Sequence, residues 1–175
     1  TTKVKNMSAR SSGRSRRSKH DLSRCDTSKL TDMSSMFNYC SSLESLDLKN
    51  FNTEKVIKMA SMFNGCRSLI SLDVSNFNTS NITDFSGMFN GCGSLSSLDF
   101  SSFDTSNVTS VSHMFNGCIS LRNLDFRNAD FSAVTNYVNM FNGTSNLEVF
   151  VKDEDVRSWV QDKLGGHGTA VIVDV

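Results

Sequence analysis

The chain has 175 residues, 18 Lys/Arg against 18 Asp/Glu and a formal net charge of zero, a length that suits one domain. Its apolar share of 38 % lies below the roughly 45–50 % of ordinary domains, which excludes a thick compact core but permits a thin one. No apolar run approaches the roughly 18 residues that a membrane span needs, and there is no Pro to break a turn.

Charge is unevenly placed. Residues 1–24 hold eight Lys/Arg and one Asp, which leaves ten Lys/Arg against seventeen Asp/Glu for the rest. A basic arm therefore precedes a mildly acidic body. The chain begins at Thr1 without a signal-peptide pattern and ends abruptly at Val175, which reads as a fragment of a longer protein.

Residues 1–20 form the first predicted unit, a basic degenerate N-terminal turn or arm. A 26-residue shift aligns His20 with Leu46 and Asp21-Leu22 with Asp47-Leu48. It also sets Arg10, Arg14 and Arg17 against Met36, Cys40 and Leu43. Unpaired charges are costly to bury, so residues 1–19 cannot pack as an ordinary turn. Two readings follow: a solvated capping turn, or an arm for polyanions. Ser rather than aromatic residues interleaves the Arg residues, so base stacking is not supported and no specific nucleic acid is expected.

Residues 21–146 form the second unit. Met36-Phe37, Met62-Phe63, Met88-Phe89, Met114-Phe115 and Met140-Phe141 recur every 26 residues without an insertion or deletion. A fixed period of this size marks a stack of repeats, each too small to bury its own apolar face. Val56, Met59, Met62 and Phe63 follow helical spacing, with Thr53 and Asn52 as caps and Gly65 as terminator. Short helices are therefore predicted near 31–38, 56–64, 82–90, 108–116 and 134–142.

The alternation Leu72-Asp73-Val74 and its equivalents predict strands at 45–49, 71–75, 97–101 and 123–127. A loop then carries Phe51, Phe77 or Phe103. In the fourth repeat the corresponding Phe131 stands two places late, so that corner is expected to be irregular. One strand and one helix per turn imply an α/β solenoid, with parallel strands on a concave side and wider helices bending the stack.

Residues 147–175 are read as a C-terminal cap. Val156, Trp159, Val160 and Leu164 give a helix that Asp153 starts and Gly165 ends. Ala170-Val171-Ile172-Val173 gives a last strand.

The pattern L-x-x-L-D-L-S-x-F-x-T-S-x-V-x-x-M-x-x-M-F-N-G-C resembles the repeat of BspA-like leucine-rich-repeat bacterial surface proteins and lipoproteins, over residues 21–152. That resemblance implies a right-handed leucine-rich-repeat-like solenoid. It also implies a bacterial cell-surface or extracellular location and a role in adhesion to a protein, host or matrix ligand.

Columns of identical residues carry the remaining signals. Cys40, Cys66, Cys92 and Cys118 lack C-x-x-C or His partners and read as small apolar core residues, so no metal is expected. Asn38, Asn64, Asn90, Asn116 and Asn142 read as turn residues. Thr27, Thr53, Thr79 and Thr105 read as helix caps. Asp21, Asp47, Asp73, Asp99 and Asp125 should point out of the strands, where stacked like charges destabilise. Hydrogen bonding to nearby Ser and backbone amides, or a cationic ligand, would offset that cost.

The flanking residues vary between turns, among them Lys49, Arg122 and Arg127. The concave face with Asp47, Asp73, Asp99, Asp125, Lys49, Arg122 and Arg127 is thus the candidate ligand surface. His20, His113 and His167 have no repeated partners, and no Walker, G-x-S-x-G or H-E-x-x-H motif occurs. The expected function is non-enzymatic recognition without a cofactor. Polyanion binding through the arm, or targeting for an enzyme outside this fragment, are the alternatives.

Overall fold

The computed structural model describes residues 19–20, 22 and 25–173. Readings that fall on residues 1–18, including the Arg positions of the basic arm, lie outside the described residues. The fold is mixed α/β. Strand β1 (Lys19–His20) pairs in parallel with β2 (Ser45–Leu46). Strands β3 (Ser97–Asp99), β4 (Asn123–Asp125), β5 (Leu147–Val151) and β6 (Gly168–Ile172) form a four-stranded parallel sheet in that order. The single helix among the described residues, α1 (Glu154–Leu164), stands between β5 and β6.

The 26-residue shift predicts the register. His20 pairs with Leu46, Leu98 with Leu124 and Asp99 with Asp125. Leu22 is buried, as its alignment with Leu48 requires. The strands are shorter than their alternation suggests. Strands β2, β3 and β4 end at or before Asp47, Asp99 and Asp125, because each carboxylate accepts from the amide two residues on and turns the chain. A β-turn follows, as in Phe103 N to Phe100 O at 2.9 Å. Residues 71–75, expected as a strand, form none. There the ladder passes through Ile70, whose N–H reaches Glu44 O at 3.2 Å, and leaves Leu72 half-buried.

No helix forms at 31–38, 56–64, 82–90, 108–116 or 134–142. These segments are strings of β-turns. In the second repeat Met62 N donates to Met59 O, Asn64 N to Ser61 O and Cys66 N to Phe63 O. The amides between them donate to the following repeat: Ser61 N to Ser86 O, Phe63 N to Met88 O and Gly65 N to Asn90 O, at 2.7–2.9 Å. The cause is the backbone at two positions per repeat. Ser35, Ser61, Gly87, His113 and Asn139 have φ between 55° and 63°, and Tyr39, Gly65, Gly91, Gly117 and Gly143 lie between 57° and 81°. A left-handed residue in mid-segment is incompatible with a right-handed helix. Turns at spacing three give the same apolar periodicity as a helix, which is why the pattern misleads. Without a helix per repeat, helix width gives the stack no reason to bend.

The core is a continuous strip. Phe37, Phe63, Phe89, Phe115 and Phe141 stack face to face with centroids 5.4–5.9 Å apart, within the range of favourable offset pairs. Ala129 fills the fourth-repeat loop position, and Phe131 moves on to stack against Trp159 of α1 at 4.6 Å. The irregular corner is thus the seat of the terminal helix. Asp153 caps α1 by accepting from Val156 N at 2.9 Å, and Gly165 closes it.

Candidate functional site

The strand face brings the acidic column together in part. Asp73, Asp99 and Asp125 line one shallow groove of about 410 Å³, with Ser71, Leu72, Ser97, Leu98, Asn123 and Phe150. The backbone places them there. Parallel pairing stacks Asp99 on Asp125 in register, while β5 carries Phe150 opposite Asp125 and ends the column. The loss of pairing at Leu72 opens the groove at its other end. Asp47 and Lys49 are exposed outside this lining, and Asp21 lies outside the described residues.

Each carboxylate has a local partner. Asp47 Oδ1 accepts from Lys49 N at 3.1 Å and Asp99 Oδ1 from Ser101 N at 2.8 Å. Asp73 Oδ1 accepts from Ser75 N at 3.0 Å and Ser75 Oγ at 2.7 Å. The Ser75 hydroxyl and then its amide hold the Asp73 carboxyl below the usual range, with a smaller pull from Lys49. These are Asx turns, the structural offset expected for the column.

Charge balance differs along the groove. Arg127 reaches Asp125 through Nη2 at 2.6 Å and Nε at 2.9 Å, and this contact raises the guanidinium's own affinity for its proton. Asp73 and Asp99 form no ion pair among the described residues. Arg122 is exposed but turned aside, with Nη1 donating to the carbonyls of Ile119, Leu121 and Ser145 at 2.9–3.1 Å. It ties two repeats together, while Lys49 keeps an exposed head. Chemically the groove offers two carboxylates without ion-pair partners among the described residues, beside the side chains of Leu72 and Phe150.

The other columns are structural, with roles different from those expected. Thr27, Thr53 and Thr105 are buried, and each hydroxyl clips one residue of the following repeat. Thr105 Oγ1 accepts from Asp130 N and donates to Asp130 O, both at 2.7 Å. These Thr residues join repeats and cap no helix. Asn64 Nδ2 donates to Asn38 Oδ1 at 2.9 Å and Asn142 Nδ2 to Asn116 Oδ1 at 3.2 Å, so amide pairs at this turn position also join neighbouring repeats.

The thiols of Cys66, Cys92 and Cys118 donate to the carbonyls of Phe37, Phe63 and Phe89 at 3.1–3.2 Å. No disulfide joins the five cysteines, and no group of three metal-ligating side chains exists among the described residues. A hydrogen-bonding contact with the neighbouring Cys40 thiol, and then burial, raise the Cys66 thiol, while burial raises Cys92 and pushes Cys118 up to about 12.

Sequence reasoning missed a second Asx column, in which Asp26, Asn52, Asn78, Asp104 and Asp130 cap the amides two residues on. The Asp/Asn-x-Ser spacing at four of these five positions, with Glu54 in place of Ser after Asn52, is its signal. Leu72 and Phe150 also escaped, because one is an ordinary core position of its repeat and the other lies beyond the array.

The chain matches the family described as "Mycoplasma protein of unknown function, DUF285", over residues 1–73 and 44–159. The chain belongs to this family. The match fits a BspA-like repeat protein. No curated protein and no solved structure matches the chain.

Proposed function

We propose that the chain is a non-enzymatic recognition module, displayed at a cell surface or outside the cell, that binds a protein or matrix ligand. The groove over Asp73, Asp99 and Phe150 is the observation that carries this reading. It offers carboxylates without ion-pair partners beside apolar surface, on a face whose flanking residues change from repeat to repeat. A ligand segment with Lys or Arg on either side of an apolar residue fits both parts. Parallel pairing of successive strands, with the right-handed connections that such pairs favour, supports our reading of the repeats as a right-handed solenoid of the leucine-rich-repeat kind, with this face running along its length.

The test uses a synthetic Lys-Leu-Lys-Leu-Lys peptide as probe, titrated into the chain and into the double variant Asp73→Asn with Asp99→Asn. Asn keeps an oxygen acceptor, so the Asx turns persist while the charge goes. Binding should weaken about tenfold, the sum of two exposed charge pairs, while the variant stays folded. A variant that melts earlier and binds the peptide unchanged would show the column to be structural only.

The second reading is polyanion binding through residues 1–20, favoured by eight Lys/Arg in the first 24 residues. Heparin binding that falls steeply with salt, and that survives the double variant, would support it.

A further inference from the structure

Strand β6 closes the parallel sheet, so its outer side is an edge. Open edges invite another strand and are commonly blunted. In parallel pairing, alternate residues aim both their N–H and their C=O at the same neighbour. On β6 the odd residues face β5: Leu147 N donates to His167 O at 3.2 Å, and Val173 N donates to Val151 O at 3.0 Å. The even residues Gly168, Ala170 and Ile172 therefore aim outward.

Among the described residues one side chain, that of Gln161, hydrogen-bonds to this edge. Gln161 Nε2 donates to Gly168 O at 3.2 Å, and Gln161 Oε1 accepts from Ala170 N at 2.9 Å. These are the two bonds that one residue of a parallel neighbour strand would make. Helix α1 sets the amide there. Asp153 and Gly165 fix its ends, and Val160 and Leu164 are buried against the core on either side of Gln161. Beyond Ala170 no described residue bonds the outer side of the edge up to Ile172, an exposed apolar residue.

We propose that Gln161 is an edge latch: its amide takes the place of a neighbouring strand and keeps β6 from pairing with β6 of a second copy. The edge of another copy is the fitting occupant because two identical edges can pair antiparallel about a two-fold axis. Such pairing would use the carbonyls and amides of 168–172 and cover both Ile172 side chains.

The test is the oligomeric state of Gln161→Leu, which keeps the side chain's size and removes both hydrogen bonds. Sedimentation should show the wild type as one chain and the variant at two or more chains in a concentration-dependent way. Adding Ile172→Lys, a charge on the open edge, should return the variant to one chain. A folded Gln161→Leu that stays monomeric throughout overturns the proposal.

Hydrogen exchange on the wild type tests the same point without relying on the variant's folding. The Ala170 amide should exchange about tenfold or more slowly than the outward Ile172 amide, as a closed bond does beside an open one. Equal rates would mean that the latch is not closed.

Discussion

Thr105 shows how a single side chain joins two repeats. Its hydroxyl is buried and makes both hydrogen bonds with the backbone of Asp130, twenty-five residues away. Thr105→Val keeps the shape and leaves the part-buried amide and carbonyl of Asp130 without this partner. Chemical denaturation should show a loss of about 1–3 kcal/mol, and Thr105→Ser should recover most of it.

The cysteine column gives a pH prediction. Cys118 has its thiol pushed up from 9.0 to about 12. Above pH 9 the unfolded chain releases this proton and the folded chain keeps it. The contribution is therefore complete below pH 9 and declines as pH rises from 9 to 12, with Cys66 and Cys92 acting in the same direction. Denaturation midpoints across that range should fall for the wild type, and fall less for Cys118→Ala. At neutral pH a thiol reagent should modify Cys25, which is half-buried, well before Cys66, Cys92 and Cys118.

Among the elements, the turn string and the helix it replaces make opposite demands on Gly87. Its φ is +63°, and a Cβ there would lie 3.1 Å from Ser61 Oγ. Gly87→Ala should cost about 1–2 kcal/mol, the penalty of a left-handed L-residue. In a helix the same change would stabilise by roughly 1 kcal/mol, so the sign of the shift in an unfolding curve separates the two.

Gly87 is also where the sequence offered its warning. Met59, Met62 and Phe63 fit both a helix and a run of three-residue turns, and apolar spacing cannot distinguish them. Gly at a position where other repeats have Ser61, His113 and Asn139 marks a backbone that no helix interior needs. The strand register was legible because His20, Leu46, Leu98 and Leu124 repeat without insertion, and α1 because Asp153 and Gly165 bracket one apolar stripe. The outward placement of Asp73 and Asp99 followed from alternation alone. The groove did not, since it depends on the lost pairing at Leu72 and on Phe150 from outside the array.

At the scale of the whole molecule, stability passes from repeat to repeat through the Phe stack and the backbone ladders. Phe89 lies between Phe63 at 5.4 Å and Phe115 at 5.8 Å and is fully buried. Phe89→Ala should cost roughly 3–5 kcal/mol. Because repeats contact mainly their neighbours, calorimetry should show melting in stages, whereas a single transition unshifted from the wild type would argue against nearest-neighbour coupling. The same continuity holds Asp73, Asp99 and Phe150 in one groove although they come from three different segments of the chain. The most direct test of that groove as the ligand surface is a nitrogen-15 NMR titration of the whole chain with the Lys-Leu-Lys-Leu-Lys peptide. Amide shifts should gather at residues 71–73, 97–99, 123–125 and 150, and shifts confined to another face, or none at saturating peptide, would contradict the assignment.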